Sequence, residues 1–569
     1  MVSSRCDPRI VGRSLWLLGL LLISQGRAFL LATNTRDLTS VFLLKRIQPK
    51  CIPLDVVSSR ALNSEVALDQ FTLYPDEDAS ADTHEKNLEL AKLAKQCGSG
   101  GRQSQSLALK AYDILQNMTC PDTVAYNIVI NAFAKSAPAT FPLPSTNSDS
   151  NRRVSAAERA EGLLDEMMTI YDTQSSAQHT WYKNRAKGEL THDEINRGPP
   201  IIRVKPNVRS FSTVMDAWSR MGRVQETLQV LKVMEEMYEE TMDGSLKPNS
   251  FSYNTVLSAF AKSRGGKVAA EQAQHFLEHN MPNPDVISYN AVLSAWARSG
   301  VPQAGSRAED LLRGMRVTPN AKSYASVMDA WSRSGTDESA ARAHGLLKEL
   351  QELYDRTGDE ELCPNCICYT SVIHAYALSK EALKAQRAYA LLQEMKDKGQ
   401  TDTQVLPNTV TYNSVLNACA TSSPLTYSEI NKSKRDSSAG KGGEPSLQTM
   451  IQTLYQELVQ VGHSESTSEM MERESVSPDH FTFGTILKAC ANNIFWNDPN
   501  FGMTVFQEAC RRGQVSLGVL IQLRHAYPSC DDFLPSKAYN PQTRKFDIAY
   551  IPEAWKRNVR ERADRRPLT

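Results

Sequence analysis

Downstream of Pro248, Tyr253, Val256, Leu257 and Phe260 fall at i, i+3, i+4 and i+7, a spacing that sets four apolar side chains on one face of an α-helix. A second set repeats that spacing elsewhere, as Ala160, Leu163, Leu164 and Met167, as Ala308, Leu311, Leu312 and Met315, and as Ala388, Leu391, Leu392 and Met395. The two patterns alternate and predict two kinds of helix, here called A and B. Ahead of each helix A stands Pro-Asn or Pro-Asp. The proline disfavours helical geometry in the residue before it, and the Asn or Asp can cap the next helix by accepting from its free N–H groups. A single A–B hairpin leaves its apolar stripe uncovered, so neighbouring hairpins must stack.

The helix A phrase recurs eight times, from PDTVAYNIVINAF at Pro121 to PDHFTFGTILKAC at Pro478. Its anchoring aromatics are Tyr126, Phe211, Tyr253, Tyr289, Tyr324, Tyr369, Tyr412 and Phe483, at spacings of 85, 42, 36, 35, 45, 43 and 71. The base unit is therefore close to 35 residues, enlarged by insertions.

With this length, the YNxxI-type helix A and the closing Pro-Asp or Pro-Asn, the sequence resembles the pentatricopeptide repeat family. Tetratricopeptide repeats have a similar period, but they want Trp, Leu, Gly and Tyr in that order in helix A, which no unit has here, and Asn follows the anchoring aromatic in four of the eight units. The resemblance covers residues 88–514, including a degenerate first unit over 88–122. It implies an all-α, right-handed α-solenoid whose recognisable units begin near 123, 208, 250, 286, 321, 366, 409 and 480.

The resemblance also implies binding of single-stranded RNA, one base per unit, each read by two or three side chains. In the family the base is read by the residue after the helix A aromatic together with the residue after the closing proline. Carried over, the pairs are Asn127 with Asn207, Ser212 with Asn249, Asn254 with Asp285, Asn290 with Asn320, Ala325 with Asn365, Thr370 with Asn408, and Asn413 with Asp479. Six of the seven are fully polar, as recognition of a Watson–Crick edge requires. The family's code then implies, from the 5′ end, pyrimidine, A, U, pyrimidine, an unassigned base, A and U. Ala325 leaves the fifth place open, and Gly484 the last, whose closing residue the sequence does not place. The second residue of each unit grips the bases in this family; here these are Val124, Arg209, Phe251, Ile287, Lys322, Ile367, Val410 and Phe481. Apolar or planar groups suit stacking, and Arg209 and Lys322 could add cationic contacts. Helix capping accounts for the Asn and Asp after proline, but not for the polar residues after the aromatic.

Charge adds little. Lys plus Arg equals Asp plus Glu at 64 each, so there is no global basic footprint. Basic residues close several A helices, as Lys135, Arg220, Lys262, Arg298 and Arg333, which fits solvated faces or a local stripe. The eleven cysteines are scattered and odd in number, against a disulfide scaffold. Cys363, Cys366 and Cys368 invite a zinc reading, but no second pair stands at ligand spacing. His463, Ser464 and Glu465 match the HxE of zinc deaminases, yet no PCxxC follows. The chain is expected to be a binder with no catalytic residue, metal or cofactor. The rival reading is a scaffold that binds an extended peptide, whose groove would more often present Lys or Arg clamps where Asn, Ser and Thr stand here.

The N-terminus carries Arg5, Arg9 and Arg13 before the nine-residue apolar run LWLLGLLLI, which is too short to span a bilayer and suits a signal-peptide core. With Ala28 before Phe29, it resembles the bipartite plastid signals of algae with secondary plastids; a mitochondrial presequence is the alternative. Residues 1–28 are expected to be the targeting peptide, 29–85 a transit segment and disordered linker, and 515–569 a C-terminal extension. Polar insertions at about 137–153, 173–204, 423–446 and 463–477 are expected to be disordered loops, Trp181 and Tyr182 among them. The expected setting is organellar RNA metabolism, alongside RNA-processing or translation factors and without a membrane in the mature form.

Overall fold

The structure, a computed structural model, describes residues 77–97, 102–137, 140–142, 153–400, 402–423, 445–461, 476–492 and most of 494–559. It is an all-α solenoid of stacked helical hairpins. The leading hairpin is Glu77–Gln96 (α1) with Arg102–Gln116 (α2). Helix Thr123–Ser136 (α3) follows, then two short antiparallel strands, Thr140–Pro142 (β1) and Arg153–Ser155 (β2), then Ala156–Lys187 (α4) and His192–Arg197 (α5). The next hairpins pair Val208–Arg220 (α6) with Val224–Thr241 (α7), Ser250–Lys262 (α8) with Gly266–His279 (α9), and Val286–Ser299 (α10) with Ala304–Arg313 (α11). Further on, Ala321–Ser334 (α12) pairs with Ser339–Thr357 (α13), Cys366–Leu378 (α14) with Lys384–Gly399 (α15), and Thr409–Ala420 (α16) with Leu447–Val461 (α17). His480–Ala491 (α18), Phe501–Arg511 (α19) and Leu517–Ala526 (α20) close the stack.

Each helix A packs on its own helix B and on the A helices before and after it, so one continuous apolar core runs through the stack. Val129, Val214, Val256, Val292, Val327, Val372, Val415 and Ile486, three residues past each anchoring aromatic, are fully buried in it. The aromatics have polar handles as well. Tyr126, Tyr324, Tyr369 and Tyr412 donate from their hydroxyls to Glu166, Glu349, Glu394 and Glu457 of the same unit's helix B, at 2.7, 3.1, 3.1 and 3.1 Å. Seven residues past the anchor, a second aromatic reaches the preceding helix B. Trp296 Nε1 donates to Gln274 (3.0 Å), Trp331 Nε1 to Glu309 (3.0 Å), and the Tyr376 hydroxyl meets His344 Nδ1 (2.7 Å). In these units one aromatic closes the hairpin or the other locks it to its predecessor; the anchoring Tyr253 instead donates to Glu235 of the preceding helix B at 3.2 Å.

The structure departs from the sequence expectations in four places. The insertion over about 137–153, expected as a disordered loop, carries β1 and the start of β2, paired as a two-stranded ribbon. Residues 173–187, expected as loop, continue α4, because the run is rich in Ala, Gln, Lys and Arg, which favour helix despite their polarity. Trp181 is buried there, donating to the Glu194 carbonyl at 3.3 Å, and buried Gln174 accepts from the Arg203 and Val204 N–H groups at 3.0 and 3.3 Å. The expected linker over 29–85 is already helical from Glu77, where buried Thr83 docks on the Cys120 carbonyl at 3.0 Å. The expected C-terminal extension from 515 begins with a helix of the stack: α20 buries Val519, Leu520 and Leu523 and packs on α18. It lacks both the Pro-Asn signature and the anchoring aromatic, so sequence periodicity passed over it. The segment after it seals the end of the stack, with Val515 N donating to the Trp555 carbonyl (2.8 Å) and the Trp555 ring edge-on to Phe506. Residues 1–28, expected to be a targeting peptide, most of the insertion over 423–446 and nearly all of that over 463–477, including His463, lie outside the described residues.

Candidate nucleic-acid interface

At every unit boundary the residue after the proline is the N-cap of the following helix A. Asn207, Asn249, Asp285, Asn320, Asn365, Asn408 and Asp479 all have extended backbone, and their side chains accept from N–H groups two or three residues on. In five of them a Ser or Thr three residues later returns a bond to the cap backbone, as Ser210, Ser288, Ser323, Thr411 and Thr482 do. Capping uses Oδ1. It leaves the second polar atom, Nδ2 of an Asn or Oδ2 of an Asp, for another partner.

The capping Oδ1 itself meets the residue after the aromatic in the preceding unit, joined in Asp285 by Oδ2. Asn254 Nδ2 lies 3.2 and 3.3 Å from the two Asp285 oxygens, and Asn413 Nδ2 lies 3.0 Å from Asp479. In both, the next unit's hydroxyl takes the other end of the amide: Ser288 Oγ donates to Asn254 Oδ1 and Thr482 Oγ1 to Asn413 Oδ1, each at 2.7 Å. Asn290 Nδ2 sits 3.4 Å from Asn320 Oδ1. The hydroxyl pairs are arranged differently. Ser212 meets Ser252 (3.2 Å) and Thr370 meets Thr411 (2.8 Å), and these partners in turn touch the caps Asn249 and Asn408. Asn127 makes no bond to Asn207, and its Oδ1 is buried without a partner, as is that of Asn290. Ala325 is buried beside no cap contact of its own, and Asn365 is committed to capping. After Gly484 the cap position is taken by Ser516, which the sequence alone did not place.

The second residues form the complementary half of the surface. Val124, Phe251, Ile287, Ile367, Val410 and Phe481 are 53–64% exposed, each at the same place on its helix, and Arg209 and Lys322 are exposed in the intervening units. Single exposed apolar side chains are ordinary; the same position exposed in unit after unit is a row. Between successive members of this row stand the amide and carboxylate pairs.

Four of the five basic residues closing the A helices are already engaged. Lys135 Nζ donates to the Ala94 carbonyl (3.0 Å) and Arg298 to that of Ala261 (3.1 Å), while Arg220 and Arg333 pair with Asp216 and Asp329 at 2.8 Å. The three cysteines of the CxxCxC run face different partners: Cys363 faces Asp402, Cys366 faces Thr370 and Thr411, and buried Cys368 faces the Ala321 carbonyl. Among the described residues no group of three or more His, Cys, Asp or Glu side chains could hold a metal.

Family models match the same hairpins. A PPR repeat model matches residues 209–238, and a pentatricopeptide repeat domain model matches 236–298 and 352–422. A pentatricopeptide repeat-containing protein of Arabidopsis thaliana is 26% identical over 171 residues, 30% of this chain and 26% of its own, so the match spans about a quarter of that relative's length. Among solved structures, the pentatricopeptide repeat protein PPR10 from maize is 18% identical with a TM-score of 0.28, over 82% of this chain and 69% of that one. PPR10 in complex with an 18-nt psaJ RNA element is 18% identical with a TM-score of 0.29, over 79% and 53%. The repeat models coincide with hairpins whose capping, aromatic anchors and boundary pairs recur from unit to unit: over residues 209–298 and 352–422 the chain is similar to pentatricopeptide repeats.

Proposed function

We propose that this protein binds single-stranded RNA sequence-selectively, laying one base against each unit, and acts without catalysis in organellar RNA metabolism. The observation that carries the reading is the alternation along the stack of an exposed apolar second residue with an amide or hydroxyl group at the unit boundary. A base offers a π-face to the first and a hydrogen-bonding edge to the second, and stacking on such groups is sequence-tolerant while the edge contact is not. Where the boundary holds Asp285 or Asp479, the carboxylate only accepts, so it suits a ring N–H such as uracil N3–H and disfavours the ring lone pair of cytosine or adenine. Occupancy of a transcript in this way would protect an end, expose a ribosome site or recruit a processing enzyme. The cellular setting we propose is a plastid reached through the N-terminal segment, with the mitochondrion as the alternative; a fluorescent fusion of residues 1–76 in algal cells separates the two.

The direct test is competition. A labelled single-stranded RNA pool bound to the full chain should be displaced by unlabelled single-stranded RNA, and far less by duplex RNA or an extended-peptide library. Displacement by peptide alone would favour the protein-scaffold reading instead.

A further inference from the structure

We infer that the leading hairpin, degenerate in sequence, is itself a base-reading unit, with Asn87 and Asp122 as its reading pair. The inference rests on the RNA-binding reading above and extends it by one nucleotide. Its register is fixed by a contact outside the pair. Thr123 Oγ1 donates to the Lys205 carbonyl, two residues before the cap Asn207, and Thr409 Oγ1 to the Ser477 carbonyl, two before the cap Asp479. Thr83 Oγ1 donates to the Cys120 carbonyl, two before the cap Asp122. Thr83 is therefore the first residue of its unit, as Thr123 and Thr409 are of theirs, and Asn87 falls at the fifth, where Asn127 and Asn413 stand.

The pair then has the geometry of the two Asn–Asp pairs further along. Asn87 Nδ2 lies 3.2 and 3.3 Å from the two oxygens of Asp122, against 3.2 and 3.3 Å for Asn254 and Asp285. Asp122 caps α3 by accepting from Ala125 N at 2.8 Å, as its counterparts cap theirs. One difference points to a ligand. Ser288 and Thr482 satisfy the amide oxygen of the later pairs, but the equivalent residue here is Ala125, and Asn87 Oδ1 is buried with no hydrogen-bond partner. A buried acceptor left open is costly unless something donates to it. His84, the second residue, is exposed where the other units expose Val124, Phe251 or Ile287, and an imidazole ring offers a planar face of the same kind. The sequence hid the unit because Lys86, paired with Asp82, replaces the anchoring aromatic.

The nucleotide taken here lies one place beyond the one facing Asn127. An open amide acceptor next to a carboxylate fits a base with a ring N–H, uracil or guanine rather than cytosine or adenine, and the match with the pairs at Asn254 and Asn413 makes uracil the expected one. The test uses the full chain and four RNAs of otherwise fixed sequence that differ only at that nucleotide. Uracil should bind about tenfold tighter than cytosine there, a step in line with one well-made pair of base-edge contacts. Asn87→Ala should erase the preference at that nucleotide and leave those facing Asn254 and Asn413 intact. Asp122→Asn, which keeps a capping residue and so guards against simple unfolding, should bring uracil and cytosine together. Equal binding of all four RNAs, with preferences intact at the places facing Asn254 and Asn413, would make the hairpin a structural end-cap and overturn the inference. Failure of the full chain to bind any of the RNAs would overturn the RNA-binding reading itself.

Discussion

At a boundary such as Asp285, Asn320 or Asp479 one oxygen does two things. Oδ1 ends the run of free N–H groups at the start of helix A and also accepts from the amide of the preceding unit. Capping and reading are therefore compatible roles of one side chain. Burial raises the Asp285 carboxyl, but hydrogen bonds from the Ser288 hydroxyl, from the Ser288 and Ile287 N–H groups and from Asn254 outweigh it and hold the carboxyl below its ordinary value. With the folded value depressed, the stabilisation is fully present above the ordinary Asp value of about 3.9 and is lost as pH falls through the folded value. Asp285→Ala should cost about 1 kcal/mol in urea melts at pH 7 and less at pH 2, whereas Asp285→Asn should keep most of the cap. Glu161 behaves in the opposite sense. Burial, then the charge of Asp165, raises it to about 7. Its protonated form is favoured on folding, so stability should fall as pH rises from about 4.3, the unfolded value, through about 7. Glu161→Gln should remove that slope and stabilise the protein by on the order of 2 kcal/mol at pH 8, with little change at pH 4, as thermal melts at the two pH values would show.

At the scale of the element, hairpins lock through aromatic residues placed against small ones. Gly305 opens helix α11 directly against the Trp331 ring, and a Cβ there would overlap the indole carbons. The ring cannot easily yield, since its Nε1 donates to Glu309 and the Arg342 guanidinium lies 5.9 Å from its centroid. Gly305→Ala should therefore destabilise by about 1–3 kcal/mol, checked by denaturant unfolding, while Gly345→Ala, which meets open space, should not. The A and B helices were legible in the sequence because their apolar stripes keep helical spacing and their starts carry Pro-Asn or Pro-Asp. Three elements were not. The extension of α4 buries no apolar side chain but Trp181, α1 has Lys86 at the anchor, and α20 is capped by Ser516 without a proline. In each, a tertiary contact does what the sequence signature does elsewhere. The pair Asn254 and Asp285 could be assigned from spacing, but the engagement of Ser212 with Ser252, one unit on, could not, since it depends on how neighbouring A helices sit side by side.

At the scale of the whole molecule, stability is expected to build from unit and nearest-neighbour terms, with recognition distributed in the same way. The chain is neutral overall, and Lys135, Arg220, Arg298 and Arg333 are bonded within the stack. Few of the cations that close the A helices are left to neutralise phosphates. The salt dependence of RNA binding should accordingly be shallow, with log K against log salt sloping no more steeply than about −3, since each neutralised single-strand phosphate contributes about −0.7. The most direct test of the account is selection of bound sequences from a random single-stranded RNA pool by the full chain, beside Asn254→Ala and Asn413→Ala. Numbered from the nucleotide facing Asn127, the account predicts uracil at the third and seventh places, with each variant losing selection at its own place and nowhere else. A pool that emerges unenriched, or variants that weaken every place equally, would contradict base-by-base reading by these boundary pairs.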